Sequence, residues 1–409
     1  MRPILRGVEV IRIARREGGL TTLLRDAEGI ATGPVEVPPP LDRALALMDG
    51  TKSVIEIAAA LRRDGAPTVR TESIERLVEV LDAEGMLEGA RAEARKRALV
   101  EAFRAAPVRP AAFAGSAYHG EEAALRRFVD ERCLDVAAPL ELERTVRGLV
   151  APHMDLWRAA PGYGSAYAAL AERLPESVET VLVLGTCHVG MRSPFAFTKK
   201  RWDTPLGAMH ADSAFIDRVA ARARVDLFAD EYKHRGEHSI EFQLVFLRHL
   251  FGERPLSIVP ILCGLGRAQA LGLDPRRERE SEVVLGALEE ELAAHPERYL
   301  VVAGADLAHV GPRFGDPRAL DERGRARLEA RDRASIRALL GRDAAGFFAD
   351  VVSDASERRV CGTGPLYTLL RALDALGPTR GHALEYTQHV DPDEGSIVSY
   401  VAAAFESEG

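Results

Sequence analysis

Over the last three hundred positions, apolar residues fall into short unbroken runs separated by longer stretches with helical spacing. The runs Val146–Ala151, Thr180–Gly185, Ser257–Leu262 and Tyr299–Ala303 predict strands buried on both faces. Helices are predicted over Tyr163–Arg173, Ser213–Ala223, Glu237–Leu250, Glu280–Ala294, Leu320–Leu340 and Pro365–Leu376, with a closing strand over Gly395–Phe405. Strands alternating with helices predict an α/β fold, a mainly parallel sheet flanked by helices.

The first part of the chain has a different texture. Val8, Val10, Ile11 and Ile13, then Leu20, Leu23 and Leu24, alternate loosely around Gly18-Gly19 and Gly29, predicting a short hairpin. A helix over Leu41–Met48 ends at Asp49-Gly50. A second opens with Ser53, whose partner Glu56 completes a capping box. A third carries Ile74, Leu77, Val78 and Leu81 at helical spacing and stops at Gly85. This outline predicts a small winged-helix-like domain over 1–95. A charged helical linker follows over 96–112, and the α/β domain occupies 113–409.

Composition narrows the function classes. With 46% hydrophobic and 28% charged residues, this is a globular chain. No apolar run is long enough to span a bilayer, and the N-terminus lacks a signal-peptide core, so no membrane role and a cytoplasmic location are expected. The net charge of -8 argues against a nucleic-acid partner. The third helix of the small domain would present Glu72, Glu75, Glu79 and Asp82 to phosphates, which argues the same way. Cys133, Cys187, Cys263 and Cys361 show no CxxC spacing, so any cysteine chemistry belongs to individual thiols. Neither GxSxG, a Walker A loop, GxGxxG nor HExxH occurs.

Candidate chemistry gathers where strands end. In a parallel sheet, ligands collect beyond the carboxyl ends of the strands. There the runs deliver His153, His188, and Asp306 with His309. Cys361 stands before Gly362, Gly364 and Pro365, just ahead of a helix start whose dipole favours thiolate. Cys187 would point away from its neighbour His188, and Cys263 reads as core. Glu237 and Glu241, four apart at the opening of a helix, share a face on which they would support a ligand or orient a histidine, with His238 beside Glu241.

These pieces, in this order, resemble the Memo family, including the bacterial proteins called component B of the AmmeMemoRadiSam system. The resemblance runs through Phe113-Ala-Gly-Ser-Ala-Tyr118, Ala151-Pro-His153, Leu184-Gly-Thr-Cys-His188 and Thr204-Pro-Leu-Gly207. It continues with Glu237-His-Ser-Ile-Glu241 and Gln243, Ile258-Val-Pro260, Asp306-Leu-Ala-His309 with Arg313-Phe314, and Cys361-Gly362. It implies a fold similar to LigB-type extradiol dioxygenases and a metal held by His153, His188 and Cys361. It also implies that Asp306 and His309 line the pocket as catalytic residues, His309 in the acid/base position with Asp306 setting its tautomer or charge, iron or copper as the metal, and radical-SAM and AMMECR1-like proteins as partners. Asp49–Gly65 and Val78–Gly89 resemble PqqD-like winged-helix modules, implying a peptide or protein ligand for the first domain. The chain departs from the Memo pattern at Met154-Asp155-Leu156, where a tyrosine is lost and Tyr163 is the nearest replacement. It departs again at Val189 and at Gln388-His389-Val390-Asp391.

Two readings stand at this point. In one, two imidazoles and a thiolate hold Fe(II) or copper in an oxidoreductase. In the other, the metal site is part of a non-catalytic component that recruits partners. Zn(II) fits the same donors.

Overall fold

The computed structural model describes residues 1–14, 20–138, 142–252, 254–266, 268–354 and 357–408. The chain divides into two compact units, Met1–Ala106 and Pro107–Gly409. The stretch 96–112, expected as a linker, is shared between them. Its first part completes a helix of the first unit, and Val108–Arg109 forms a strand of the second.

The first unit carries an antiparallel sheet in the order β1 (Glu9–Ala14), β2 (Leu20–Arg25), β3 (Val35–Val37). The turn expected at Gly18-Gly19 lies outside the described residues. A 3-10 helix over Leu41–Leu47 precedes α1 (Val54–Arg63), α2 (Thr71–Glu84) and α3 (Ala90–Ala105). The Ser53–Glu56 capping box forms, and Gly85 ends α2 in the left-handed region at φ 82°. Leu24, Val37, Ile57, Leu61, Ile74 and Leu81 form the core of this unit.

The second unit opens with β4 (Val108–Arg109) and α4 (Glu122–Phe128), then β5 (Val146–Ala151), α5 (Leu156–Arg173) and β6 (Thr180–Gly185). Short strands β7 (Phe195–Phe197), β8 (Arg201–Thr204) and β9 (Gly207–Ala211) precede α6 (Ser213–Ala223), α7 (Glu241–Phe251) and β10 (Ser257–Cys263). Next come α8 (Ala268–Leu271), α9 (Arg279–Ala294), β11 (Tyr299–Gly304), β12 (Asp306–Val310), α10 (Glu322–Leu340) and α11 (Ala344–Val352). The chain closes with α12 (Thr363–Leu376), β13 (Thr379–Val390) and β14 (Ile397–Ser407).

The sheet runs β12-β14-β5-β11-β6-β10-β9-β8-β4. Its central strands β5, β11, β6 and β10 are parallel, and β14 joins them antiparallel. Alternate residues of each central strand serve opposite layers. Val150, Leu182, Val301 and Ala303 pack with α6, α9 and α12, whereas Leu149, Val181, Val183 and Val302 pack with α5 and α7. Helices on both faces explain why these strands are apolar throughout.

Two expected helices begin elsewhere, and one strand was not expected. The helix expected from Glu237 begins at Glu241, because Glu237 caps a preceding 3-10 turn in extended conformation. The helix expected from Tyr163 begins at Leu156 and carries Pro161 beyond a kink at Ala159. The strand β13 had no forecast, because its mostly half-buried residues do not alternate cleanly.

Candidate metal centre

Strands β5, β11 and β6 are neighbours, so their carboxyl ends open onto one place. Beyond β5 lies His153, beyond β6 lies His188, and β11 passes through Ala305 to Asp306. Cys361 reaches the same place from the loop before α12. One ligand atom from each of His153, His188 and Cys361 lies within 4.8 Å of the others. Cys361 Sγ is 3.2 Å from His153 Nε2.

Each imidazole has its far nitrogen committed. His153 Nδ1 donates to the Gly304 carbonyl at 2.9 Å, and His188 Nδ1 sits 3.1 Å from both oxygens of the Glu237 carboxylate. Those acceptors hold the ring protons on Nδ1 and leave Nε2 of both rings as the donor toward the cluster. Glu237 is buried and also accepts the main-chain N–H groups of His188, His238 and Ser239. Burial alone would raise its carboxyl, but His188 and His238 hold it well below the usual range.

The electrostatics favour a cation. Burial raises the Cys361 thiol, and the imidazoles of His153 and His188 reverse this and hold it below its ordinary value. Burial would strip the proton from His188, yet Glu237 and the Cys361 thiol keep it well above the ordinary range. The field that holds a proton on His188 attracts a metal cation to the same spot. A thiolate and two neutral imidazoles are also the donor set of soft and borderline transition metals, so these residues fit such an ion.

The loops that carry these ligands are tied to one another. Thr186 Oγ1 donates to the Cys361 carbonyl at 3.0 Å, and Ser239 Oγ donates to the Thr186 carbonyl at 2.9 Å. The Asp306 carbonyl accepts Gly362 N at 3.1 Å, while Asp306 Oδ1 accepts His153 N at 2.9 Å. Two glycines permit this approach. A Cβ at Gly362 would lie 2.4 Å from the Asp306 carbonyl oxygen, and one at Gly304 would lie 2.3 Å from that of Ser239.

Asp306 lies against the cluster, Oδ2 being 3.5 Å from His153 Nε2. Burial pushes its carboxyl up to about 6. His309 is adjacent but outside the ligand group. Its Nδ1 donates to the Leu307 carbonyl at 3.2 Å, and burial lowers its basicity. His238 stacks on His188 with ring centroids 4.7 Å apart. Glu241, expected to share a face with Glu237, turns elsewhere. Its carboxylate takes Arg109, the N–H groups of Ala112 and Phe113, and the Tyr118 hydroxyl. It is linked to the cluster through Arg109, which also donates to the Glu237 carbonyl, and through Phe113, which packs on His238. Tyr163 does not replace the lost tyrosine at the rim, because it is fully buried and donates to the Met154 carbonyl.

Two supporting residues escaped the sequence reading of roles. Arg109, in the expected linker, is completely buried. It pairs with Glu241, donates to the carbonyls of Glu237 and His234, and lies 4.5 Å over the Trp202 ring. Gln243 donates to the Pro152 carbonyl at 2.9 Å and accepts from Tyr167. Gln243 was visible as a polar residue on an apolar helix face, but a flanking pair of prolines disguised Arg109 as linker.

His234, beside Arg109, supplies a prediction. Burial pushes its imidazole from 6.5 down to about 3, and its Nε2 donates to the Ala196 carbonyl. The unfolded chain therefore takes this proton first as pH falls, and stability drops from near pH 6.5 toward the folded value. His234→Gln keeps a donor without the titration. Its denaturant stability should fall less steeply between pH 6 and 4, by ~1.4 kcal/mol per pH unit. Parallel slopes in variant and wild type would remove His234 as a source of acid lability.

The chain is similar in sequence to many known proteins. The chain is similar to a MEMO1 family protein of Aquifex aeolicus (strain VF5), 28% identical over 388 residues, covering 94% of this chain and 95% of that one. It is also similar to the MEMO1 family protein MK0963 of Methanopyrus kandleri, 29% identical over 306 residues, covering 73% of this chain and 98% of that one. Among solved structures, uncharacterized protein JW3007 from Escherichia coli K12 matches 63% of this chain and 99% of its own at 13% identity and a TM-score of 0.37, too low to argue from. The profile of the Memo-like proteins matches residues 109–404, which include the whole cluster. The chain belongs to the Memo-like protein family.

Proposed function

We propose that the second unit binds one transition-metal ion through His153 Nε2, His188 Nε2 and Cys361 Sγ and works as a metal-dependent oxidoreductase. The observation that carries this reading is the meeting of two imidazoles and a thiol whose far contacts are already satisfied. Iron(II) or copper bound there supplies electron transfer to or from a substrate or dioxygen. The chain's own residues supply the rest. Glu237 and the Gly304 carbonyl fix the two rings. Asp306 lies against the metal position, Oδ2 being 3.5 Å from His153 Nε2, where it would take up or give a proton, and His309 stands in electrostatic range of it. Glu237, committed to His188, is not free to act as the general base a zinc hydrolase needs.

Metal analysis of anaerobically purified protein tests the reading. About one iron or copper per chain is expected, lost in a His153→Ala/His188→Ala variant, with dioxygen uptake in the loaded wild type. A folded wild type that refuses Fe(II) and Cu(I) would defeat it.

A partner-recruiting role for Met1–Ala106 is favoured by the lengths of the relatives. The Methanopyrus relative, matched along 98% of its length by 73% of this chain, has room for the second unit alone. The first unit, which is matched in the Aquifex relative, would in this reading capture a peptide, a radical-SAM protein or an AMMECR1-like protein. Equal capture of these proteins by the full chain and by residues 107–409 would exclude that role.

A further inference from the structure

Asp306 and His309 stand three apart in β12, and in a regular strand residues three apart face opposite sides of the sheet. Yet each feels the charge of the other, and both feel His188. The pairing of β12 with β14 resolves this. Asp306 faces Tyr400 and His309 faces Val398, so three steps along β12 match two along β14. The extra residue makes a bulge, which turns His309 to the side of Asp306.

A bulge takes main-chain donors out of the ladder, and buried donors must find other acceptors. Ala308 N donates to the Ser399 hydroxyl at 3.0 Å, and His309 N donates to the Arg358 carbonyl at 2.7 Å. Both acceptors lead to one carboxylate. Ser399 Oγ donates to Asp332 Oδ2 at 2.6 Å, and Arg358 Nη1 donates to Asp332 Oδ1 at 3.1 Å. Asp332 and Ser399 are completely buried, and Arg358 is nearly so. Apolar residues of like volume in place of a buried ion pair are often as stable or more so, and stability alone does not require this one. The turn beyond Arg358 is laced to the same strand. Arg359, at φ 48°, donates to the His309 carbonyl at 3.0 Å, and Cys361 follows two residues later.

We infer that Asp332 is a positioning residue, which through Ser399 and Arg358 holds the bulge that sets His309 beside Asp306 and seats the turn leading to Cys361. That these groups serve metal chemistry rests on the reading above, whereas the bulge itself does not. Asp332 works through its neighbours and takes no part in the reaction.

The test takes two readings on the full chain. Amide hydrogen exchange compares Ala308 and His309 with Val301 in β11. At saturating Co(II), the cobalt-shifted ring resonances of His309 report the distance and direction of that ring from the ion. In Ser399→Ala and Asp332→Asn, exchange at Ala308 should speed up about tenfold relative to Val301, and the His309 resonances should move. The control for general destabilisation is Asp350→Asn, because Asp350 meets Arg358 at 3.3 Å from a partly exposed position. Both readings should there stay as in wild type. Wild-type ratios and resonances in Ser399→Ala and Asp332→Asn overturn the inference, and so does an equal response to Asp350→Asn. A wild type that binds no Co(II) defeats the metal-site reading, and the exchange ratios then uphold or overturn the role of Asp332 by themselves.

Discussion

Cys361→Ser should weaken metal binding on the order of 100-fold or more, measured by anaerobic competition with a chelator of known affinity. The substitution removes one atom's worth of softness and a full negative charge. A serine hydroxyl stays protonated where the two imidazoles hold the thiol below its ordinary value. His153 and His188 remain in place, because their Nδ1 partners do not involve Cys361. The residual affinity should therefore be that of a two-histidine site. Glu237→Gln should cost less, roughly 10- to 100-fold, since it disturbs the orientation of His188 and not a ligand. Cys263→Ser is the control. That thiol is buried, pushed up to about 12, and bonded to the Ile261 carbonyl, so its loss should leave metal affinity unchanged. An affinity of Cys361→Ser equal to wild type would remove Cys361 from the ligand set.

Arg109→Met should destabilise the second unit by ~3–5 kcal/mol in denaturant titration. Both members of the Arg109–Glu241 pair are inaccessible to solvent, and Nε and both Nη atoms of the guanidinium donate to Glu241 or to main-chain carbonyls. Methionine fills much of the volume but leaves the Glu241 charge buried with only neutral donors. It also leaves the Glu237 carbonyl without the Arg109 Nη2 donor, next to the carboxylate that orients His188. Metal affinity should fall along with stability. Glu241→Gln should cost less, because an amide oxygen still accepts from Ala112 N, Phe113 N or Tyr118. A loss below about 1 kcal/mol for Arg109→Met would mean that the pair behaves like an exposed surface ion pair.

Much of the architecture was legible along the chain. The four central strands lie where unbroken apolar runs placed them, since strands covered on both faces cannot hide their composition. The structure brings ligand atoms of His153, His188 and Cys361 within 4.8 Å of one another, two of them from strand ends and the third from just ahead of a helix. Residues whose meaning depends on a distant partner were harder to read. Glu237 and Glu241 looked equivalent, four apart at a helix start. Glu237 is extended at the end of a 3-10 helix and Glu241 opens the next helix, so one orients His188 while the other neutralises an arginine. His238 read as a helix neighbour of Glu241, whereas its place is set by stacking on His188.

The sequence by itself determined the layering of the second unit, because it follows from local periodicity, and it brought His153, His188 and Cys361 forward as candidates through residue chemistry and the family resemblance. Only the tertiary structure decided which side chains share a proton, a charge or a glycine-sized gap. Arg109 meets a residue 132 positions away, and Gly362 abuts the carbonyl of Asp306, contacts that no local pattern encodes. Long-range packing sets them, because buried charges and lone pairs must find partners wherever the fold places them.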